Sequence, residues 1–211
     1  MLKKFLHFWR KYNFIVILLS IVLSQQTLGE ASKRLLILGD SISAGYGVSA
    51  DRQWTYLLQG KLDSTNKKLS IVNASSPGET TGGGLSRMPS LLKSNSPHYL
   101  LIELGGNDAL RGYPIDKIKF NLQEICKMAT KQKVVVVLMQ IRIPPNYGRK
   151  YKEAFEAIYT EVTKELNIQL VPFMLNNVAL DSDLMFPDGI HPNEKAQPLI
   201  AEEVFKWAES L

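Results

Sequence analysis

The sequence contains a single cysteine, Cys126, among its 211 residues. That scarcity excludes an internal disulfide and any zinc site built from several thiolates. An apolar run long enough to span a bilayer, roughly 20 residues, is also missing; the longest, FIVILLSIVL at 14–23, is about half that and is broken by Ser20. No Asp or Glu precedes Glu30, and there are only three histidines, His7, His98 and His191. Internal repeats, low-complexity tracts and dividing linkers are absent. With 45% hydrophobic and 21% charged residues, the composition is that of an ordinary globular chain, outside the disordered, collagen-like and disulfide-rich classes.

The formal net charge of +5 invites a nucleic-acid reading until it is located. Lys3, Lys4, Arg10 and Lys11 stand ahead of the apolar run, and a polar stretch with small residues at Gly29 and Ala31 follows it. A basic start, a short apolar centre and a small-residue exit predict a secretory signal peptide over 1–29. Removal of those four cations leaves 21 basic against 20 acidic residues, a net charge of +1. The excess is therefore read as an export signal, with no nucleic acid expected as partner. The remaining 30–211 are expected to form one domain, long enough to bury a substantial core, located in the periplasm or secreted. No membrane span is expected once the leader is removed.

Within that domain, short apolar runs alternate with helical spacing. The runs at 35–38, 69–74, 99–104, 134–141 and 168–174 stay apolar rather than alternating, as strands of a parallel sheet buried on both faces do. Between and after them, Trp54, Leu57, Leu58 and Leu62 recur at helical intervals. So do Ile115, Ile118, Leu122 and Ile125, then Phe155, Ile158, Val162 and Leu166, and last Ala196, Ile200, Val204 and Trp207. Four amphipathic helices over a sheet predict a three-layer α/β domain.

In such sheets ligands bind at the carboxyl ends of the strands, and the polar clusters fall there. The first strand delivers Gly39-Asp40-Ser41, the second Gly78, and the third Gly105-Gly106-Asn107-Asp108, while Asp188-Gly189-Ile190-His191-Pro192 precedes the last helix. A serine is a weak nucleophile until a base takes its proton. His7 lies in the leader and His98 precedes a strand, on the opposite rim, so His191 is the base expected for Ser41. Asp188, three residues earlier in a tight loop, can reach the far ring nitrogen and leave Nε2 for the hydroxyl. Oxyanion donors are expected from the backbone N–H of Ser41, the backbone N–H of Gly78 and the side-chain amide of Asn107. Asp40 and Asp108 are read as braces of their loops. No metal or other cofactor is implied.

These four clusters resemble the blocks of the SGNH or GDSL hydrolase superfamily, whose naming residues correspond to Ser41, Gly78, Asn107 and His191. Within it, GDSISAGYGV, ELGGNDALRGYP, MQIRIPPNYGRKYKEAFEAIY and DGIHPNEKAQPLIAE are similar to the branch of bacterial periplasmic thioesterases, lysophospholipases and arylesterases. The resemblance implies a flavodoxin-like sheet of five parallel strands in order 2-1-3-4-5. It also implies hydrolysis of acyl esters, thioesters or lysophospholipids through an acyl-serine intermediate, without metal. Ile42 stands where Leu is usual, and Pro77 directly precedes the oxyanion glycine where a non-proline residue is usual, which implies a stiffer loop. Loops after the second, third and fourth strands (80–85, 109–113 and 142–147) are expected to hold the acyl chain. Their expected contacts are Gly82, Leu85, Leu110, Tyr113, Ile143, Pro144 and Tyr147.

Rival readings are weaker. Gly45-Tyr46-Gly47 lacks the third glycine of a dinucleotide fingerprint, since position 50 is Ala, and the second strand ends without an acid. Gly82-Gly83-Gly84 lacks the Lys-Ser/Thr of a phosphate loop, and Ser43 interrupts the G-x-S-x-G elbow of an α/β-hydrolase. A carbohydrate or cell-envelope O-acetyl esterase would use the same site on a smaller acyl group. A non-catalytic lipid- or glycan-binding module would have no use for the complete Ser41, Asn107, Asp188 and His191 set.

Overall fold

The structure is a computed structural model that describes residues 32–211; the expected leader lies outside the described residues. Five strands form one parallel sheet: β1 (Lys33–Gly39), β2 (Leu69–Asn73), β3 (Tyr99–Glu103), β4 (Val135–Met139) and β5 (Gln169–Val171), in the order β2-β1-β3-β4-β5. The expected fold and strand order are both found. Consecutive side chains of a strand point to opposite faces. Leu35, Leu36, Ile37 and Leu38 of β1 are all fully buried, so both faces of the sheet are covered. The shared register, Leu36 beside Leu100 and Leu100 beside Val136, stacks branched side chains across the middle of the domain.

The covering helices are α1 (Trp54–Ser64), α2 (Thr81–Asn95), α4 (Ile115–Lys131), α5 (Arg149–Leu166) and α6 (Gln197–Ala208), with a single-turn α3 (Gly106–Leu110) after β3. Helix α1 packs on α6, while α2 packs on α4 and α4 on α5. Four of these match the apolar spacing. Helix α2 was not legible in it: three glycines open the segment and Pro89 lies inside it, and glycine costs about 1 kcal/mol and proline about 3 kcal/mol relative to alanine in a helix interior. Tertiary contacts overrule that bias. The Thr80 hydroxyl accepts from Gly83 N at 3.1 Å as an N-cap, Asp108 anchors the first turn, and Met88 and Leu92 are buried. Strand β5 is shorter than its apolar run, ending before Pro172, which has no N–H to continue a ladder. Among the described residues no helix is long and apolar enough to cross a membrane.

Candidate active site

Every strand of a parallel sheet points the same way, so the loops leaving β1, β2, β3 and β5 emerge on one rim. The chain leaving β1 turns at once: Ala44 N donates to Asp40 O at 2.9 Å and Tyr46 N to Ser41 O at 3.0 Å. Ser41 stands at the head of that turn. Its hydroxyl meets His191 Nε2 at 2.8 Å, and His191 Nδ1 meets Asp188 Oδ2 at 2.7 Å. With the carboxylate accepting at Nδ1, the ring proton sits there, and Nε2 is left to accept from the serine.

The loop carrying the imidazole is held by its own backbone. Asp188 Oδ1 accepts from both Ile190 N and His191 N at 2.9 Å. Phe186 N donates to His191 O at 2.8 Å, and Met185 bridges to Pro192. Tyr46, half-exposed, lays its ring over the imidazole at a centroid distance of 4.4 Å. Desolvation works against ionisation of Asp188, but the two backbone donors and the imidazole outweigh it, and its carboxyl is brought down to about 2.

Below the serine the electrostatics reverse. Asp40 is buried, its Oδ1 accepting from Ile42 N at 3.0 Å and its Oδ2 from Asn107 Nδ2 at 3.1 Å. Desolvation pushes its carboxyl up to about 6, against the pull of Ile42 N, His191 and Asn107. Asp108 accepts from Thr81 N at 2.8 Å and from the Thr81 hydroxyl at 2.6 Å, tying α3 to the start of α2. Both acids therefore brace loops, as expected of them.

Gly78 occupies the third position of a turn, Ser76-Pro77-Gly78-Glu79, closed by Glu79 N donating to Ser76 O at 3.1 Å. Its φ is +74°. Proline second and a positive-φ glycine third is the type II arrangement, so the unusual Pro77 suits the conformation that the loop adopts. Ser76 N also donates to Gly39 O at 3.1 Å, and Arg111 reaches Gly78 O at 3.4 Å. The turn is thus tied to the β1 exit on one side and to α3 on the other.

A cleft of about 570 Å³ opens beside Ser41, His191 and Asn107. Of the seven residues expected to contact an acyl chain, Leu110, Ile143 and Pro144 line it, and Gly82, Leu85, Tyr113 and Tyr147 do not. Gly82 is taken into the first turn of α2, and Tyr113 turns its carbonyl to the Tyr151 hydroxyl at 2.8 Å. The far wall comes from the segment after β5, including Phe173, Leu175, Leu180 and Met185, which sequence reasoning did not include. Phe173 falls in the apolar run at 168–174 but beyond the end of β5, and the others follow neither a strand nor a helical period; all leave the carboxyl end of a strand, and that placement is the signal that could have found them. Glu103 also lines the cleft; sequence reasoning missed it too, because it lies within the apolar run at 99–104.

The chain matches the model of the GDSL-like lipase/acylhydrolase family over residues 37–198. It is 47% identical over 181 residues, 86% of either chain, to thioesterase 1/protease 1/lysophospholipase L1 of Escherichia coli K12. To an arylesterase of Vibrio mimicus it is 43% identical over 189 residues, 89% of this chain and 94% of the relative. Among solved structures, the psychrotrophic esterase EstA from Pseudoalteromonas sp., inhibited by monoethylphosphonate, superposes with a TM-score of 0.83 at 42% identity, covering 84% of this chain and 97% of EstA. With the fold, the four motif clusters and these matches in agreement, the chain belongs to the GDSL-like lipase/acylhydrolase family.

Proposed function

We propose that this chain is a serine hydrolase that cleaves acyl esters and thioesters through an acyl-serine intermediate. The observation that carries the reading is the unbroken line of hydrogen bonds from Ser41 Oγ through the imidazole to Asp188. His191 Nε2 takes the hydroxyl proton as Ser41 Oγ bonds to the acyl carbon. The oxyanion that forms is met by the N–H groups of Ser41 and Gly78 and by the Asn107 amide, each such donor being worth about 10²–10³ in rate. Collapse expels the alcohol or thiol, with the imidazolium returning its proton to the leaving group. Water then attacks the acyl-serine, His191 again accepts the proton, and the carboxylic acid departs as Ser41 Oγ is reprotonated.

The acyl chain lies in the cleft between the 141–145 loop and the segment after β5. A largely apolar space of about 570 Å³ suits a longer chain better than acetyl, so it favours thioesterase, arylesterase or lysophospholipase action over O-acetyl esterase action. The relatives named above, a thioesterase/lysophospholipase and an arylesterase, support the same substrate class. Residues 1–29 act as a leader that sends the 30–211 hydrolase domain to the periplasm or the medium. An N-terminus at Glu30 or Ser32 on the exported protein is the expected mass-spectrometric result.

The test of the class is a fluorophosphonate probe mapped by peptide mass. Labelling at Ser41, absent in Ser41→Ala, is expected; labelling elsewhere, or none, would overturn the assignment. A panel of p-nitrophenyl acyl esters, palmitoyl thioester, lysophospholipid and acetylated glycan then separates the acyl classes.

A further inference from the structure

Glu103 is an enclosed acid near the site, with 1% of its surface exposed, and the reaction above gives it no part. Its Oε2 accepts from the Ser43 hydroxyl at 2.7 Å and from Asp40 N at 3.3 Å. Both donors belong to the turn that presents Ser41. Glu103 pairs in register with Gly39, and a Cβ at position 39 would lie 2.6 Å from Glu103 Oε2 and 2.7 Å from Ser43 Cβ. The carboxyl therefore fills the space that a side chain at 39 would need, which ties the glycine of the first cluster to the acid that ends β3.

From this hub the bonds run outward. Asp40, held by Glu103 at its backbone, accepts from the Asn107 amide at its carboxylate. An amide has two Nδ2 hydrogens and an oxygen that cannot donate. One hydrogen committed to Asp40 settles which end of the amide is the donor and fixes where the second hydrogen points. We propose that Glu103 is a positioning residue for the hydrolysis: from beneath the nucleophile turn it fixes Asp40, and through Asp40 the oxyanion-binding amide of Asn107. The assignment rests on the reading of Asn107 as an oxyanion donor.

The chemistry of the pair is consistent with a brace. Desolvation, reinforced by the nearby Asp40, holds the Glu103 carboxyl well above the usual carboxylate range, and both of its hydrogen bonds to the turn are ones it accepts. Asp40 and Tyr159 are its ionisable neighbours, with Asp108 and His191 acting on Asp40 in turn. A donor displaced by about 1 Å can cost about 10²-fold in rate, so a loosened amide is expected to lower turnover while leaving the apolar cleft and ground-state binding alone.

The test is a double-mutant cycle on a p-nitrophenyl acyl ester, with kcat expressed per active site counted by the end point of phosphonate labelling. Glu103→Ala should lower kcat roughly 10- to 100-fold with KM changed less than about threefold, and Glu103→Gln should restore most of that loss. On an Asn107→Ala background, Glu103→Ala should remove little more, because both changes break one chain of bonds. Ser43→Ala, a milder variant if Glu103→Ala does not fold, should show a smaller loss that likewise vanishes on the Asn107→Ala background. Losses that multiply independently, or that fall on KM, would overturn the role of Glu103 while leaving the hydrolase reading in place. Full activity in Asn107→Ala would instead remove the oxyanion reading and this inference with it.

Discussion

Two carboxylates flank Ser41, and the protein moves their acidities in opposite directions. Asp40, on the floor, leaves the end of a central strand into a desolvated turn and is raised to about 6. Asp188, on the wall, sits in a partly exposed loop, faces desolvation too, but is lowered to about 2 by Ile190 N, His191 N and the imidazole. The difference teaches that sequence identity does not assign a carboxylate its task. Donors aimed at it by its own loop make Asp188 a permanent anion suited to orient and stabilise an imidazolium. Burial leaves Asp40 and Glu103 as scaffolding acids, with Asp40 hydrogen-bonded to the Asn107 amide rather than to the imidazole.

The contrast can be broken most sharply at the nucleophile. Ser41→Ala is expected to lower kcat by about 10⁴-fold or more, whatever the state of the floor, and steady-state assays with an acyl ester measure it. Asp188→Asn should come next, with a loss of roughly 10²–10⁴-fold, because the ring is left in the wrong tautomer. If Asp40→Asn cost as much as Asp188→Asn, the division between wall and floor would fail.

The cleft allows a narrower test. Ile143→Trp should reduce activity on long acyl esters about tenfold relative to short ones, as filling space worth one or two methylenes would. Leu85→Trp, off the cleft, should leave the chain-length profile unchanged. Kinetics across a series of p-nitrophenyl esters from acetyl to palmitoyl separate the two outcomes.

The two acids also predict opposite stability slopes. Asp40 keeps its proton up to about pH 6 in the folded chain but releases it near 3.8 when unfolded, so folding takes up a proton between those values and stability falls as pH rises through them. Asp188 is ionised down to about 2 when folded and down to about 3.8 when unfolded, so stability falls as pH drops through that lower window. Thermal melts should show the upper slope flattened in Asp40→Asn and the lower one flattened in Asp188→Asn. The smallest effect belongs to Tyr46→Ala. Stripping its ring from the imidazole should cost about two- to fivefold in kcat, in line with an exposed cation–π contact of about 0.5–1 kcal/mol.

What the sequence reveals and what it conceals divide along physical lines. Apolar runs and helical spacing marked the strands and four helices, because burial selects side chains periodically. The pairing of Ser41 with His191, 150 positions apart, was legible because scarcity left one usable histidine and the strand ends supplied a common rim. Helix α2 was hidden by glycines and Pro89, whose local preference is outweighed by a Thr80 cap, Asp108 and buried Met88 and Leu92. The far wall of the cleft was hidden because Leu175, Leu180 and Met185 are placed by loop closure, which leaves no period. Glu103 was hidden for the opposite reason: it sits in a strand whose other residues are apolar, and only the packed turn shows what faces it.

The clip between Met185 and Pro192 makes one ribbon of chain answer for two properties. The stretch that shapes the far side of the cleft runs, within a few residues, into the loop that holds the imidazole. Reshaping the pocket from that side will disturb proton transfer, whereas reshaping it from Ile143 and Pro144 will not. An engineer seeking new chain-length selectivity with undiminished turnover should therefore work from the β4 side and leave the β5 side alone.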